Sequence, residues 1–248
     1  MSVRVKLSFL ILCLFISSTI NAQQAEFEDI KIFEGAGEIE NVGFYTLYQA
    51  KGERGRMRNY TLKFLDFQYN EISTKNIELS KRANLTDSEA NKTHLAIAIA
   101  DTKLDQVSIR TFDKSGVLSG KLDLKETKQP SAQIYEAENG FIIVNKINEG
   151  GFIPKYKYEI ISVDNELNII WENIFTKDDN VIEVIDVLSE NGATAIVFSK
   201  GRGMKKESYS QNLMRISDSG EIIFDTKFAN NYFYFSNKIL IKDETTYV

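Results

Sequence analysis

Asparagine recurs in this 248-residue chain at positions 41, 91, 139, 191 and 237, at intervals of 50, 48, 52 and 46 residues, each time ahead of an apolar run. Glycine follows directly at Gly140 and Gly192, the pairing that suits a tight turn with positive φ. A repeat of this length constrains the fold strongly. One such unit is too small to bury its own apolar surface, so it must stack against its neighbours.

Within each interval the same order of strand-like runs returns. The first runs are Gly43 to Gln49, Thr93 to Ala100, Phe141 to Ile147, Ala193 to Ser199 and Ile239 to Lys242. Second runs close on an aspartate: Tyr60 to Asp66, Val107 to Asp113, Tyr158 to Asp164 and Leu213 to Asp218. Short polar or glycine-bearing turns lead into third runs at Glu71 to Leu79, Val117 to Leu124, Ile169 to Phe175 and Glu221 to Phe228. A fourth run reaches the next asparagine, clearest in Ala132 to Glu136 and Val181 to Leu188. These runs favour Ile, Val, Tyr, Phe and Thr, and both prolines, Pro130 and Pro154, fall between them. Helical spacing is absent after the N-terminal segment, so the chain reads as all-β.

Four strands repeating every 50 residues or so are what a β-propeller blade requires. The reading is a β-propeller-like fold of about four and a half repeats, at 41–90, 91–138, 139–190 and 191–236, with 237–248 as a partial fifth. Residues 25–40, with Ile30, Ile32 and Phe33, are expected either to close the ring against the C-terminal strand or to leave it incomplete. A β-sandwich or an open repeat array is the alternative.

Residues 1–22 stand outside the repeat. Arg4 and Lys6 precede an apolar run from Leu7 to Ile16 broken only by Ser8, and Ala22 offers a cleavage site. They read as a signal peptide too short to span a bilayer, followed by a single domain over 23–248. Cleavage would remove Cys13, the only cysteine. It would also leave 28 basic against 35 acidic residues, a net charge of −7. That charge disfavours nucleic acid and anionic membranes, and no later run could form a transmembrane helix. The expected location is the periplasm or the extracellular medium.

The stretches Gly43-Phe-Tyr-Thr-Leu-Tyr48, Tyr60-Thr-Leu-Lys-Phe-Leu-Asp66 and Asn70-Glu-Ile are similar to a family of secreted, uncharacterised Bacteroidota proteins carrying a domain of unknown function. Ser189-Glu-Asn-Gly192 and Ile216-Ser-Asp-Ser-Gly220 resemble the repeats of cell-surface and quinoprotein-like propellers. The resemblance implies a propeller-like fold over most of the chain and supplies no catalytic residue. Family members are often longer, which implies a shortened member.

His94 is the only histidine and has no nucleophile elbow beside it, so no catalytic residue is assigned. With so few nitrogen and sulfur ligands, no transition-metal site and no cofactor are expected. Asp164, Glu166 and Asn168 alternate as in a calcium loop, but Ile169 and Phe175 stand where its glycine and closing glutamate belong. The acidic turns are therefore read as aspartates capping their own backbone amides. Trp171 is expected to pack between repeats.

Two equivalent loops are basic against the acidic background. Lys51, Arg54, Arg56 and Arg58 lie in the first repeat, and Lys200, Arg202, Lys205 and Lys206 in the fourth. Arg54, Arg56, Arg58, Arg202, Lys205 and Lys206 are the candidate binding residues for an anionic glycan or an acidic protein surface. The expected function is an exported, non-enzymatic binding or interaction module. The alternative is a secreted polysaccharide hydrolase or lyase with carboxylates and an aromatic near the propeller axis.

Overall fold

The structure is a computed structural model that describes residues 30–40, 42–50, 57–124, 131–150, 155–175, 181–201, 210–230, 240–242 and 245–247. Every strand pair in it is antiparallel. The first sheet is β1 (Ile30–Ile39), β2 (Gly43–Ala50), β3 (Met57–Leu65) and β4 (Glu71–Ser80), hydrogen-bonded in that order. The second is β5 (Ala83–Ala90), β6 (His94–Asp101), β7 (Gln106–Asp113) and β8 (Leu118–Leu124). The third is β9 (Ala132–Ala137), β10 (Gly140–Gly150), β11 (Lys155–Asp164) and β12 (Ile169–Phe175). The fourth is β13 (Val181–Glu190), β14 (Ala193–Lys200), β15 (Ser210–Ser217) and β16 (Ile222–Asn230). β17 (Leu240–Lys242) and β18 (Thr245–Tyr247) form a two-stranded fifth sheet.

The first strands of successive sheets touch in series, β1 to β5 to β9 to β13 to β17, and so line the inside of the array. Burial explains how the sequence encodes the stacking. β6 carries Leu95, Ile97 and Ile99 toward the first sheet and Ala96 and Ala98 toward the third. β10 does the same with Phe141 and Ile143 on one face and Ile142 and Val144 on the other. A central strand between two neighbours must be apolar on both faces, which is why these stretches read as unbroken apolar runs. In β2 burial alternates strictly, with Tyr45 and Leu47 packed on the second sheet and Phe44, Thr46 and Tyr48 half-exposed.

The third-to-fourth strand turns share one geometry. Asp66 Oδ1 accepts from the amides of Gln68 and Asn70, both at 2.8 Å. Asp113 accepts from Ser115 and Val117, and Asp164 from Glu166 and Asn168. The candidate calcium loop is thus a self-capped hairpin turn. The fourth turn residue is left-handed each time: Tyr69 (φ 64°), Gly116 (75°), Leu167 (67°) and Gly220 (86°).

The last three of these turns also join the sheets, because each packs on the fourth strand of the sheet before it. A Cβ on Gly116 would stand 2.8 Å from Ser73 Oγ; one on Gly120 would stand 2.3 Å from the carbonyl oxygen of Glu166; one on Gly220 would stand 2.6 Å from Trp171 Cβ. Trp171 is buried between the third and fourth sheets, as expected of an inter-repeat packing residue.

One expectation needs correcting, and one of two alternatives falls. The asparagine turns join the first and second strands of one sheet and do not separate sheets, so the sheets begin one strand earlier than boundaries drawn at 41, 91, 139 and 191. The reason is chemical: Asn191 (φ 53°) and Gly192 (φ 69°) make the tight hairpin turn, whereas the links between sheets carry no such signal. Residues 30–39 do not pair with the C-terminal strand. They pair with β2, from Ile30 opposite Ala50 to Ile39 opposite Gly43, while β17 pairs with β18.

Candidate functional site

At the end of the array that carries the asparagine turns, the inner strands β5, β9 and β13 open into a cavity of about 440 Å³. Its lining includes Glu89, Tyr135, Glu136, Glu138, Glu190 and Lys92. Glu40, from the end of β1, reaches Lys92 Nζ at 3.7 Å. The second, third and fourth sheets therefore each deliver a glutamate to the lining of one opening, at Glu89, Glu136 and Glu190, and Glu40 of the first sheet stands beside its Lys92.

Backbone irregularity in β5 positions this mouth. A bulge between Leu85 and Asp87 turns the Asp87 side chain across the sheet boundary. Its Oδ2 accepts from the Ile134 amide of β9 at 2.7 Å and its Oδ1 from the Ser88 amide at 2.9 Å. β13 has a matching bulge before Asp186, whose Oδ1 accepts from the Val187 amide at 2.9 Å. Tyr135 stands close to both aspartates. Burial first, then the charges of Asp186, Asp87 and Glu183, push its hydroxyl up to about 12.

The carboxyls share one electrostatic problem. Burial raises Glu89 to about 7, helped by the charges of Asp87 and Glu136 and opposed by the Ala90 amide. Glu136 is raised by burial and by Glu40 and Glu190, with Lys92 acting against them. Lys92 is the one cation lining the cavity among the described residues. Among those residues, no three acidic, histidine or cysteine side chains converge as metal ligands would.

The sequence-derived candidates fall elsewhere. Arg54, Arg56, Arg202, Lys205 and Lys206 lie outside the described residues. Arg58 is the second residue of β3, and its guanidinium donates to the Ala83 carbonyl oxygen at 3.4 Å and to Asn84 Oδ1, tying the first sheet to the second. His94 is half-buried at the start of β6, with Nδ1 2.8 Å from Thr93 Oγ1. Burial lowers its pKa against the pull of Glu166 and Asp113. The axial glutamates were missed although they carry a signal: an acidic residue stands one to three positions before each of the asparagines 41, 91, 139 and 191.

The fold and site define a β-propeller-like protein, an all-β stack of four-stranded antiparallel sheets around an inner set of strands. No family model matches the chain, and no curated protein matches it. Among solved structures it is similar to the β-propeller domain of the Trilobed protease from Pyrococcus furiosus, described as having an open velcro topology, with a TM-score of 0.52 and 12% identity over 82% of this chain and 59% of that one. A eukaryotic initiation factor structure aligns with a TM-score of 0.41 and 8% identity over 81% of this chain and 56% of that one. The chain thus spans less than two thirds of the length of either structure.

Proposed function

We propose that the protein is an exported, non-enzymatic binding module whose acidic axial mouth receives a positively charged group of its partner, such as a basic protein segment. The observation that carries this reading is the unbalanced charge of the mouth. Glu40, Glu89, Glu136 and Glu190 crowd one opening with Lys92 as the cation among its lining residues, an arrangement that costs folding energy and suits a cationic partner. Export rests on the N-terminal segment, which lies outside the described residues.

Calorimetric titration with a lysine-rich peptide tests the proposal at low and at physiological salt. Saturable, salt-sensitive binding that is lost in Glu136→Gln/Glu190→Gln supports it. Binding that persists in that variant, or no binding at either salt, refutes it. Tight binding of an anionic glycan instead would favour the basic loops of 51–58 and 200–206.

A second reading also has an observation in its favour. A carboxyl held near pH 7 beside other carboxylates and Tyr135 is what a polysaccharide hydrolase or lyase would use as its acid. Glycan turnover abolished by Glu89→Gln would establish it. Its absence across a panel of plant and bacterial polysaccharides would leave the binding module standing.

A further inference from the structure

A groove of about 630 Å³ runs between the third and fourth sheets at the asparagine-turn end, and it differs from the equivalent place one sheet earlier. The comparison is exact in register. Thr111 lies opposite Gly120 as Ser162 lies opposite Trp171, and the turns 113–117, 164–168 and 217–221 close with the same backbone bonds.

Between the second and third sheets this space is filled. Asn91 Nδ2 donates to the Gly140 carbonyl oxygen at 3.0 Å and to Asn165 Oδ1 at 2.8 Å. Thr111 Oγ1 donates to the Asn165 carbonyl oxygen at 2.7 Å, and Leu167 is buried against the second sheet. Between the third and fourth sheets each of these fillers changes. The turn after β9 has two residues where that after β5 has three, so nothing corresponding to Asn91 reaches across. Gly220 replaces Leu167 and Asp218 replaces Asn165. Ser162, the counterpart of Thr111, is 7% exposed, lines the groove and has no hydrogen-bond partner for its hydroxyl among the described residues.

We propose that this groove is a binding site for a neutral saccharide chain. Ile170, 55% exposed, gives it an apolar wall against which the C–H face of a pyranose can lie, while Trp171, which also lines it, is buried against Gly220. Ser162 and Thr194 offer hydroxyls inside, and Asp218, Glu138 and Glu190 offer carboxylates at the rim to accept from sugar hydroxyls. No lysine or arginine lines it among the described residues, so a uronate or sulfated glycan would meet only negative charge. Glu138, Ser189 and Glu190 also line the axial mouth, so the groove and mouth form one trough suited to an extended ligand. The site does not depend on the cationic-partner reading of the mouth.

Trp171 is the only tryptophan in the chain, so its emission reports on the groove directly. The experiment titrates the folded protein with cellohexaose, maltohexaose, xylohexaose, mannohexaose, hexagalacturonate and hexalysine, following that emission. At least one neutral hexasaccharide is expected to give a saturable shift and hexagalacturonate none. Ser162→Ala and Asp218→Asn should each weaken the binding roughly 3- to 10-fold, the effect of one lost hydrogen bond. Ser162→Ala removes a hydroxyl without a partner among the described residues, so its melting temperature should not fall, which separates a binding role from a structural one. Silence with all four neutral chains, unchanged affinity in both variants, or a stronger response to hexagalacturonate would overturn the proposal, whereas a hexalysine response reports on the acidic mouth alone.

Discussion

Replacing Glu89 by glutamine should stabilise the protein above neutral pH and leave it unchanged in acid. The folded chain holds this carboxyl at about 7 against an ordinary 4.5, through burial first and then the charges of Asp87 and Glu136. Below pH 4.5 both folded and unfolded chains carry the proton, and the residue costs nothing. Between 4.5 and 7 the folded state keeps a proton that the unfolded state has released, so stability falls as pH rises. Above 7 both states are ionised and the full cost is present. For a fully buried group this displacement corresponds to about 3 kcal/mol. Glu89 keeps some contact with water, and screening reduces the figure to roughly 1–2 kcal/mol. In a domain of this size that is roughly 3–6 °C in melting temperature. Thermal melts of both proteins at pH 4.5, 6, 7 and 8.5 should show a difference opening from near zero to that plateau. A glutamine variant that gains equally at pH 4.5 and 8.5, or nowhere, would refute the crowding of charge at the mouth.

Two further substitutions probe how the sheets are joined. Asn91→Ala removes the carboxamide that bridges Gly140 and Asn165 and caps its own turn through the Thr93 and His94 amides, so chemical denaturation should show a loss of about 2–4 kcal/mol. Gly140→Ala would place a Cβ 1.9 Å from the Val163 carbonyl oxygen, a clash with backbone, and should lower the midpoint by more than about 3 kcal/mol or prevent folding.

The strands and their period were legible because the fold writes them locally. β-Branched and aromatic runs, aspartate-headed turns and asparagine-glycine hairpins each need only a few neighbouring residues. Phase was not legible, because a tight turn looks the same whether it joins strands of one sheet or separates two. The place of residues 30–39 depended on the same distinction. The axial mouth is a different matter: Glu40, Glu89, Glu136 and Glu190 lie far apart in sequence and meet only when inner strands stack. Reading them required the sheets to be cut one strand earlier, at β1, β5, β9 and β13. The groove beside Trp171 was hidden for a third reason. It arises from small differences between equivalent positions, Gly220 for Leu167 and a turn shorter by one residue, which become visible only once the registers are superposed.

The stacking of inner strands around one acidic opening is tested most directly by following the Glu89 side-chain carboxyl carbon by NMR through a pH titration, in the native protein and in Glu136→Gln. The account predicts a midpoint near 7 that moves toward the ordinary glutamate value when the neighbouring charge is removed. A midpoint near 4.5 in the native protein, or one indifferent to Glu136, would contradict it.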